Sequence, residues 1–315
     1  MKIVCGITLL VVVVIGHLWG SGMGSARANG SGQSSEWHYS SAEGRLRGVC
    51  ILVHGLNLNP ERMNPLRDEL CEAGIDVLQV HLAGHGKKDQ DPDDSLSRRA
   101  RLQAFRKVTL FQWMAEMQDA YRRAHDRTKM QDVPLYYVGF SMGGLLGPLL
   151  MVSEDGMHFE KMVLLAPALR LRPRSYLVRP LFLFSRLVIP SRSPAEYRAN
   201  PGTPIAAYNA MFQGIRKFNR HTNDALDVST LVFLDKQDEF VSYRGLQELI
   251  TRRDLQEWRL IPVAKDEQVD RHMYHHLIID EASLGSTAFS DLSQIMRSFL
   301  RGDFPVEKRA AEAGD

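Results

Sequence analysis

The sequence predicts an α/β protein with a mostly parallel central sheet, helices on both faces and an inserted helical cap. Three observations support this prediction. Apolar stretches typical of buried strands alternate with stretches of helical period, which favours parallel strands joined by helices. A Gly-x-Ser-x-Gly pattern stands where one predicted strand meets a helix. Acidic residues and histidines then follow the later strands, in that order.

The predicted elements lie within residues 46–302, which we expect to form one domain. Helices are predicted at 61–73, 110–127, 243–253 and 287–300. Strands are predicted at 49–53, 77–80, 135–140, 230–234 and 258–263. Strands that read as continuous apolar runs are buried on both faces, which is typical of a parallel sheet covered by helices.

The first candidate for chemistry is Ser141, in the sequence Gly-Phe-Ser-Met-Gly at 139–143. A serine on a tight turn between a buried strand and a helix presents its hydroxyl at the carboxyl edge of the sheet. The flanking glycines fit such a turn, because a Cβ there would collide with neighbouring backbone. The alternative is a glycine-rich turn with a solvated serine.

An oxyanion hole is expected where the apolar run 49–53 ends in His54-Gly55-Leu56. Acyl transfer places negative charge on a carbonyl oxygen, and two backbone N–H groups aimed at that oxygen stabilise it. We predict that Leu56 and Met142 supply these donors. The alternative is that His54-Gly55 only joins a strand to a turn and has no catalytic role.

An acid is expected in the loop after strand 230–234, where Asp235, Asp238 and Glu239 compete. Folds with a strand-turn-helix serine supply their partners in the order serine, acid, histidine. We prefer Asp238, because Asp235 directly follows the strand and is expected to shape the turn. Glu239 is expected to point to solvent.

A base is expected in the loop after strand 258–263, which carries His272, His275 and His276. The imidazole would take the serine proton during attack and return it to the leaving group. We prefer His275, with His276 next and His272 third. A metal site at Asp270, His272 and His275 is disfavoured, because no second group of ligands at metal spacing occurs and the serine would have no purpose. No metal or organic cofactor is expected.

These motifs together resemble the α/β-hydrolase fold family, and in particular its monoacylglycerol-lipase-like and carboxylesterase members. The resemblance rests on His54-Gly55, Gly84-His85-Gly86, residues 139–144, Asp238 and His275. It implies a serine ester hydrolase that cleaves lipophilic carboxylic esters through an acyl-enzyme on Ser141. The alternatives are a thioesterase or acyltransferase with the same triad, and a lipid-binding protein that keeps the fold without catalysis.

The spacing of catalytic residues in this family does not decide between two adjacent histidines as the base. Its acid stands three residues beyond a small residue that closes the strand, which matches Asp238, although Asp235 stands where glycine is common. Its histidine stands five residues before an acidic position. Both His275 with Asp280 and His276 with Glu281 satisfy this spacing.

The stretch from about 166 to 227 is predicted to be a cap over the active site. Its first half mixes arginines with apolar residues and has no acidic residue from 166 to 195. Such a mixture fits an anionic lipid surface or an acyl-chain entrance, although arginines in water beside ordinary packing would look alike. A helix is predicted next, with Thr203 as its cap and Pro204 in its first turn.

Residues 1–28 read as an export signal or a retained membrane anchor, because the apolar run 3–19 follows Lys2 and precedes Ala26-Arg27-Ala28. Either one predicts a catalytic part outside the cytoplasm, in the periplasm, secreted or tethered to the membrane. Residues 29–45 are predicted to be a flexible linker and 303–315 a polar tail.

The charge balance gives no support to nucleic-acid binding. The formal net charge is +2, and removal of residues 1–28 deletes Lys2 and Arg27 and brings it to zero. The expected partner is a small lipophilic ester, with contact to a membrane surface through the cap or the amino-terminal segment. Cys50 and Cys71 could pair in an oxidising compartment, although both also read as buried thiols.

Overall fold

The structure, a computed structural model, describes residues 35–40, 42, 45–86, 95–153, 156–221 and 224–303. These residues belong to one compact unit. The export signal or anchor predicted at 1–28 lies outside the described residues, as does nearly all of the predicted tail. Cys50 and Cys71 are both buried free thiols, and burial raises the pKa of Cys71 to about 11.

Seven strands form the central sheet, namely β1 Glu36–His38, β2 Gly48–Val53, β3 Ile75–Val80, β4 Leu135–Phe140, β5 Lys161–Leu165, β8 Ser229–Asp235 and β9 Trp258–Val263. Their order in the sheet is β1-β3-β2-β4-β5-β8-β9, and all neighbours are parallel except β1 and β3. The predicted α/β fold class is confirmed. A separate ribbon pairs β6 Val188–Pro190 with β7 Gly202–Pro204.

The helices that connect and cover these strands are α1 Asn64–Glu72, α2 Ser95–Phe105, α3 Leu110–Gln131, α4 Met142–Ser153, α5 Ile205–Arg220, α6 Tyr243–Arg252, α7 Glu281–Leu284 and α8 Ser286–Arg301. Every residue of β2, β3 and β4 is buried. Strands covered on both faces need apolar side chains on both, which explains the continuous apolar runs in the sequence. Among the described residues, no helix combines the length and apolar character that crossing a membrane requires.

The amino-terminal part of the domain differs from the prediction of a flexible linker at 29–45. Glu36–His38 pairs antiparallel with β3 and covers the outer edge of the sheet, which would otherwise expose unpaired backbone groups. The Arg127 guanidinium lies over the rings of Trp37 and Tyr39 and ties the strand to α3. A strand of three residues carries too short a pattern to be recognised in the sequence.

The start of α5 also corrects the prediction. Thr203 pairs with Ile189 in the ribbon, so it does not cap the helix. Pro204 precedes the first helical residue and keeps an extended conformation. Both residues belong to β7, and the helix begins only at Ile205.

Residues 166–228, between β5 and β8, are called here the inserted segment. It contains a run of 3-10 turns at Pro173–Leu183, the β6–β7 ribbon and α5. The apolar face of α5 packs on α4 and on the 3-10 run. Several large apolar side chains of the segment are exposed, namely Leu177, Leu183, Phe184 and Leu187.

Candidate active site

Ser141 lies on the sharp turn between β4 and α4, with φ of +51°. This left-handed conformation is uncommon for a residue with a side chain and is the strained geometry that a nucleophile elbow requires. Backbone hydrogen bonds hold it. The Ser141 N–H donates to the carbonyl of Leu165 at 2.8 Å, and its own carbonyl accepts from Ala168 N–H at 2.9 Å.

The flanking glycines are needed because the turn is crowded. A Cβ on Gly139 would lie 2.7 Å from the backbone carbonyl of Gly143. A Cβ on Gly143 would collide with the carbonyl oxygen of Val53, at the end of the neighbouring strand β2. The elbow therefore packs tightly against β2, which brings the end of β2 close to the serine.

Three side chains form one hydrogen-bonded chain. His276 Nε2 lies 2.8 Å from Ser141 Oγ, and His276 Nδ1 lies 2.7 Å from Asp238 Oδ2. The other carboxylate oxygen of Asp238 accepts the N–H groups of Phe240 and Val241 at 2.7 and 2.8 Å. Asp238 is fully buried, and these two backbone donors fix the orientation of its carboxylate.

The preference for His275 as base is corrected by this geometry. His275 Nδ1 lies 2.6 Å from Asp235 Oδ2, and its side chain is about one-third exposed. The structure therefore contains two neighbouring histidine–carboxylate pairs, and only the pair with His276 reaches Ser141. Asp235 also accepts Gln237 N–H at 2.8 Å, as expected of a residue that shapes the turn.

Glu239 was expected to point to solvent, but its carboxylate instead binds two backbone N–H groups. Its Oε1 accepts the backbone N–H of His275 at 3.0 Å, and its Oε2 accepts that of His276 at 3.1 Å. One carboxylate thus holds the backbone of both histidines. Only its position next to Asp238 could have indicated this in the sequence.

Lys265 also supports the loop that carries the histidines. Its ammonium donates to the carbonyl of Leu277 at 2.9 Å and to that of Ser283. Burial lowers the pKa of Lys265 to about 8, and the nearby carboxylates of Asp235 and Glu239 oppose this shift. The charged side chains of Glu239 and Lys265 therefore both hold the backbone of this loop.

The predicted oxyanion donors lie at the same edge of the sheet. Met142 is the first residue of α4, where a backbone N–H has no acceptor within the helix. Leu56 borders the cavity that contains Ser141. The Gly143 N–H donates to the carbonyl of His54 at 3.1 Å and ties the two backbone segments together.

A buried histidine supports the loop that carries Leu56. His85 Nε2 accepts the N–H of Asn57 at 2.9 Å, which leaves its Nδ1 to donate to nearby carbonyls. Burial lowers the pKa of His85 to about 4, so the ring is neutral at pH 7. Asn57 Oδ1 accepts the N–H of Asn200 at 3.0 Å, and this bond links the loop to the inserted segment.

A cavity of about 460 Å³ opens above Ser141 and His276. The inserted segment supplies much of its wall, which is largely apolar. The apolar lining includes Leu171, Val178, Met211, Phe212, Phe240 and Val241. Arg174 and Arg192 also line it. Within the part of the chain that the structure describes, no group of three or more His, Cys, Asp or Glu side chains could hold a metal ion.

The fold and this site define a serine hydrolase of the α/β-hydrolase type. The chain belongs to the family described as serine aminopeptidase, S33, whose model matches residues 44–281. No curated protein is detectably similar to the chain in sequence.

Solved structures of lipolytic enzymes share the fold. A soluble variant of the monoglyceride lipase of Saccharomyces cerevisiae, in complex with a substrate analogue, superposes with a TM-score of 0.67 at 14% identity, over 85% of this chain and 91% of the yeast chain. A metagenome-derived lipolytic enzyme has a TM-score of 0.62 at 20% identity, over 86% of this chain and 99% of its own. The monoacylglycerol lipase of Paleococcus ferrophilus has a TM-score of 0.59 at 14% identity, over 86% and 99%.

Proposed function

We propose that this serine hydrolase cleaves lipophilic carboxylic esters through an acyl-enzyme on Ser141, with His276 as base and Asp238 as the acid that orients it. The observation that carries the proposal is the unbroken hydrogen-bonded chain from Ser141 to Asp238 at the floor of an apolar cavity. Neither a metal nor an organic cofactor enters these steps.

The reaction runs in two halves. Ser141 Oγ attacks the ester carbonyl while His276 Nε2 takes its proton, and the N–H groups of Leu56 and Met142 stabilise the oxyanion. Collapse breaks the bond to the alcohol, which leaves with the proton from His276. Water then gives a proton to His276 and attacks the acyl group, and Ser141 regains its proton as the carboxylic acid departs.

The cavity favours an ester over the peptide substrate that the family description suggests. An aminopeptidase must accommodate the ammonium group of a free amino terminus beside the scissile bond. The charged residues that line the described cavity are Arg174 and Arg192, which repel an ammonium group. A neutral acyl chain, in contrast, is matched by the apolar wall.

The inserted segment has the role of a cap in this proposal. It walls the cavity with Val178, Met211 and Phe212 and exposes Leu183 and Phe184 to water. Exposed apolar side chains beside arginines fit the surface of an anionic membrane. We therefore propose that the cap meets a lipid surface.

We also propose that the catalytic domain works outside the cytoplasm, exported or anchored to the membrane. The support is the sequence of residues 1–28, with its apolar run and its Ala-Arg-Ala. Detection of the full chain in the exported fraction or in membranes, with the domain accessible to external protease, tests this. A domain protected from protease in intact cells contradicts it.

The direct test of function is hydrolysis of p-nitrophenyl esters from acetate to palmitate, with an alanine p-nitroanilide as the peptide-type substrate. The proposal predicts highest kcat/KM on medium or long chains and no release from the anilide. Ser141→Ala is the blank. Faster cleavage of the anilide, or esters left intact while thioesters are cleaved, contradicts the proposal.

A further inference from the structure

Two arginines in the wall of the catalytic cavity have no role in the reaction described above. Arg174 lies in the run of 3-10 turns, and Arg192 lies in the loop between β6 and β7. Both line the same cavity as Ser141 and His276. They therefore face whatever ligand occupies it.

The positive charge of this pair is not neutralised by its surroundings. Within the described residues, neither arginine forms an ion pair with a carboxylate. Arg174 donates its Nε to the backbone carbonyl of Glu239 at 3.0 Å, which fixes the guanidinium at the cavity wall. The sequence has no acidic residue from 166 to 195, and no Asp or Glu is among the described residues that line the cavity.

Hydroxyl groups accompany the arginines. Ser175, Ser191 and Ser193 line the same cavity. Arg198 donates to the carbonyl of Ser191 at 3.2 Å and supports the loop that carries Arg192. Guanidinium forks with nearby hydroxyls are the groups that bind carboxylate and phosphate oxygens, often in pairs of parallel hydrogen bonds.

The cavity thus joins two kinds of surface. Its apolar residues suit an acyl chain, and its two arginines suit an anion on the same molecule. Both arginines are exposed, so an anion in the cavity can reach them. Opposite charge in a cleft with apolar walls also raises the local concentration of an anionic substrate.

We propose that the preferred substrates are amphipathic esters that carry an anionic group, a carboxylate or a phosphate, bound by Arg174 and Arg192. The inference deepens the proposed ester hydrolysis and depends on it. The acyl chain lies against the apolar wall, the ester carbonyl lies at Ser141, and the anion lies against the guanidinium pair.

Matched ester pairs test this preference. The pairs are a monoacylglycerol with its glycerol-phosphate counterpart, and p-nitrophenyl hexanoate with the p-nitrophenyl monoester of adipic acid. We expect higher kcat/KM for the anionic member of at least one pair. The pair that shows this preference tells whether the arginines recognise a phosphate or a carboxylate. Arg174→Gln with Arg192→Gln should lower kcat/KM for that member about tenfold or more, mainly through KM, and leave the neutral member within about twofold.

Arg186→Gln is the matched control, because Arg186 is an exposed arginine of the same segment outside the cavity lining. It should leave both members unchanged. Equal kcat/KM for neutral and anionic esters in the wild type overturns the inference and leaves ester hydrolysis standing. An Arg186→Gln loss equal to that of the cavity variants also overturns it, because a general surface charge would then explain the effect.

If no ester is hydrolysed, the proposed function is refuted. A binding measurement then still tests whether the two arginines bind an anion with an acyl chain. Dodecyl phosphate and dodecanoate should raise the Tm of the wild-type protein more than dodecanol does, and the double variant should lose this difference. No added shift with either anion overturns the inference. An equal shift with inorganic phosphate overturns it too, because the arginines would then bind the anion without the chain.

Discussion

At the scale of single residues, two adjacent carboxylates hold two adjacent histidines in different ways. Asp238 pairs with the ring of His276, whereas Glu239 accepts the backbone N–H groups of His275 and His276. The first contact sets the tautomer of His276, which is the base in the proposed mechanism. The second sets where the backbone of the base lies, and so the distance from its ring to Ser141.

Glu239→Gln should lower kcat about tenfold with little change in KM. The amide keeps one acceptor oxygen but turns an NH₂ toward the other backbone N–H, which leaves that N–H unsatisfied at a cost of about 1–3 kcal/mol. Because the change acts on the base and not on the cavity wall, binding should persist. Steady-state kinetics on a p-nitrophenyl ester measures the split.

Glu248→Gln is the matched control, because Glu248 pairs with exposed arginines on α6 away from the site. It should leave kcat unchanged. A rise in KM with constant kcat in Glu239→Gln would show that Glu239 acts on substrate binding rather than on the base.

At the scale of secondary-structure elements, the elbow depends on how closely α4 meets β2. Gly143→Ala should destabilise the protein by about 3 kcal/mol or more, because the added Cβ meets the carbonyl oxygen of Val53, and backbone cannot move aside cheaply. Gly156→Ala is the control. It adds a Cβ with nothing within 4 Å, although its φ of +81° brings a strain of about 1–2 kcal/mol. Urea denaturation that gives equal losses for both variants would contradict the packing argument.

The exposed apolar side chains of the inserted segment give a second prediction at this scale. Leu183→Ser with Phe184→Ser should weaken binding to vesicles that contain phosphatidylglycerol, because both side chains are largely exposed and lie among arginines. Phe111→Ser is the control, since Phe111 is an exposed apolar residue at the start of α3. Vesicle sedimentation measures the difference. Equal binding by wild type and the double variant would contradict the proposed membrane contact.

At the scale of the whole molecule, buried His85 makes stability depend on pH. Its pKa is about 4 in the fold and about 6.5 unfolded, so the neutral ring stabilises the fold above pH 6.5 and this contribution is lost as pH falls toward 4. Between pH 7 and pH 5 the loss is about 2 kcal/mol. Denaturation at both pH values should show this loss, and His85→Gln, which keeps an acceptor for Asn57 but does not titrate, should reduce it. The same loss in His85→Gln would assign it to other groups.

Much of the fold could be predicted because the strands are buried on both faces and the helices carry a clear period. Ser141 could be identified from the sequence because the crowded turn requires glycine at 139 and 143, and this requirement leaves a recognisable Gly-x-Ser-x-Gly pattern. The preference for His275 over His276 was wrong, because both match the spacing and only the course of the loop decides which ring faces Ser141. β1 and the position of Thr203 were missed because short extended segments depend on the edges they pair with.

The central claim is that Ser141, His276 and Asp238 act together, and the most direct measurement compares ester turnover and fluorophosphonate labelling in three variants. His276→Ala should reduce kcat/KM about a thousandfold or more and slow labelling in parallel, while Ser141→Ala should not be labelled at all. His275→Ala should keep activity within about tenfold, since its ring pairs with Asp235 and not with the serine. A His275→Ala variant that loses activity while His276→Ala retains it would contradict the account.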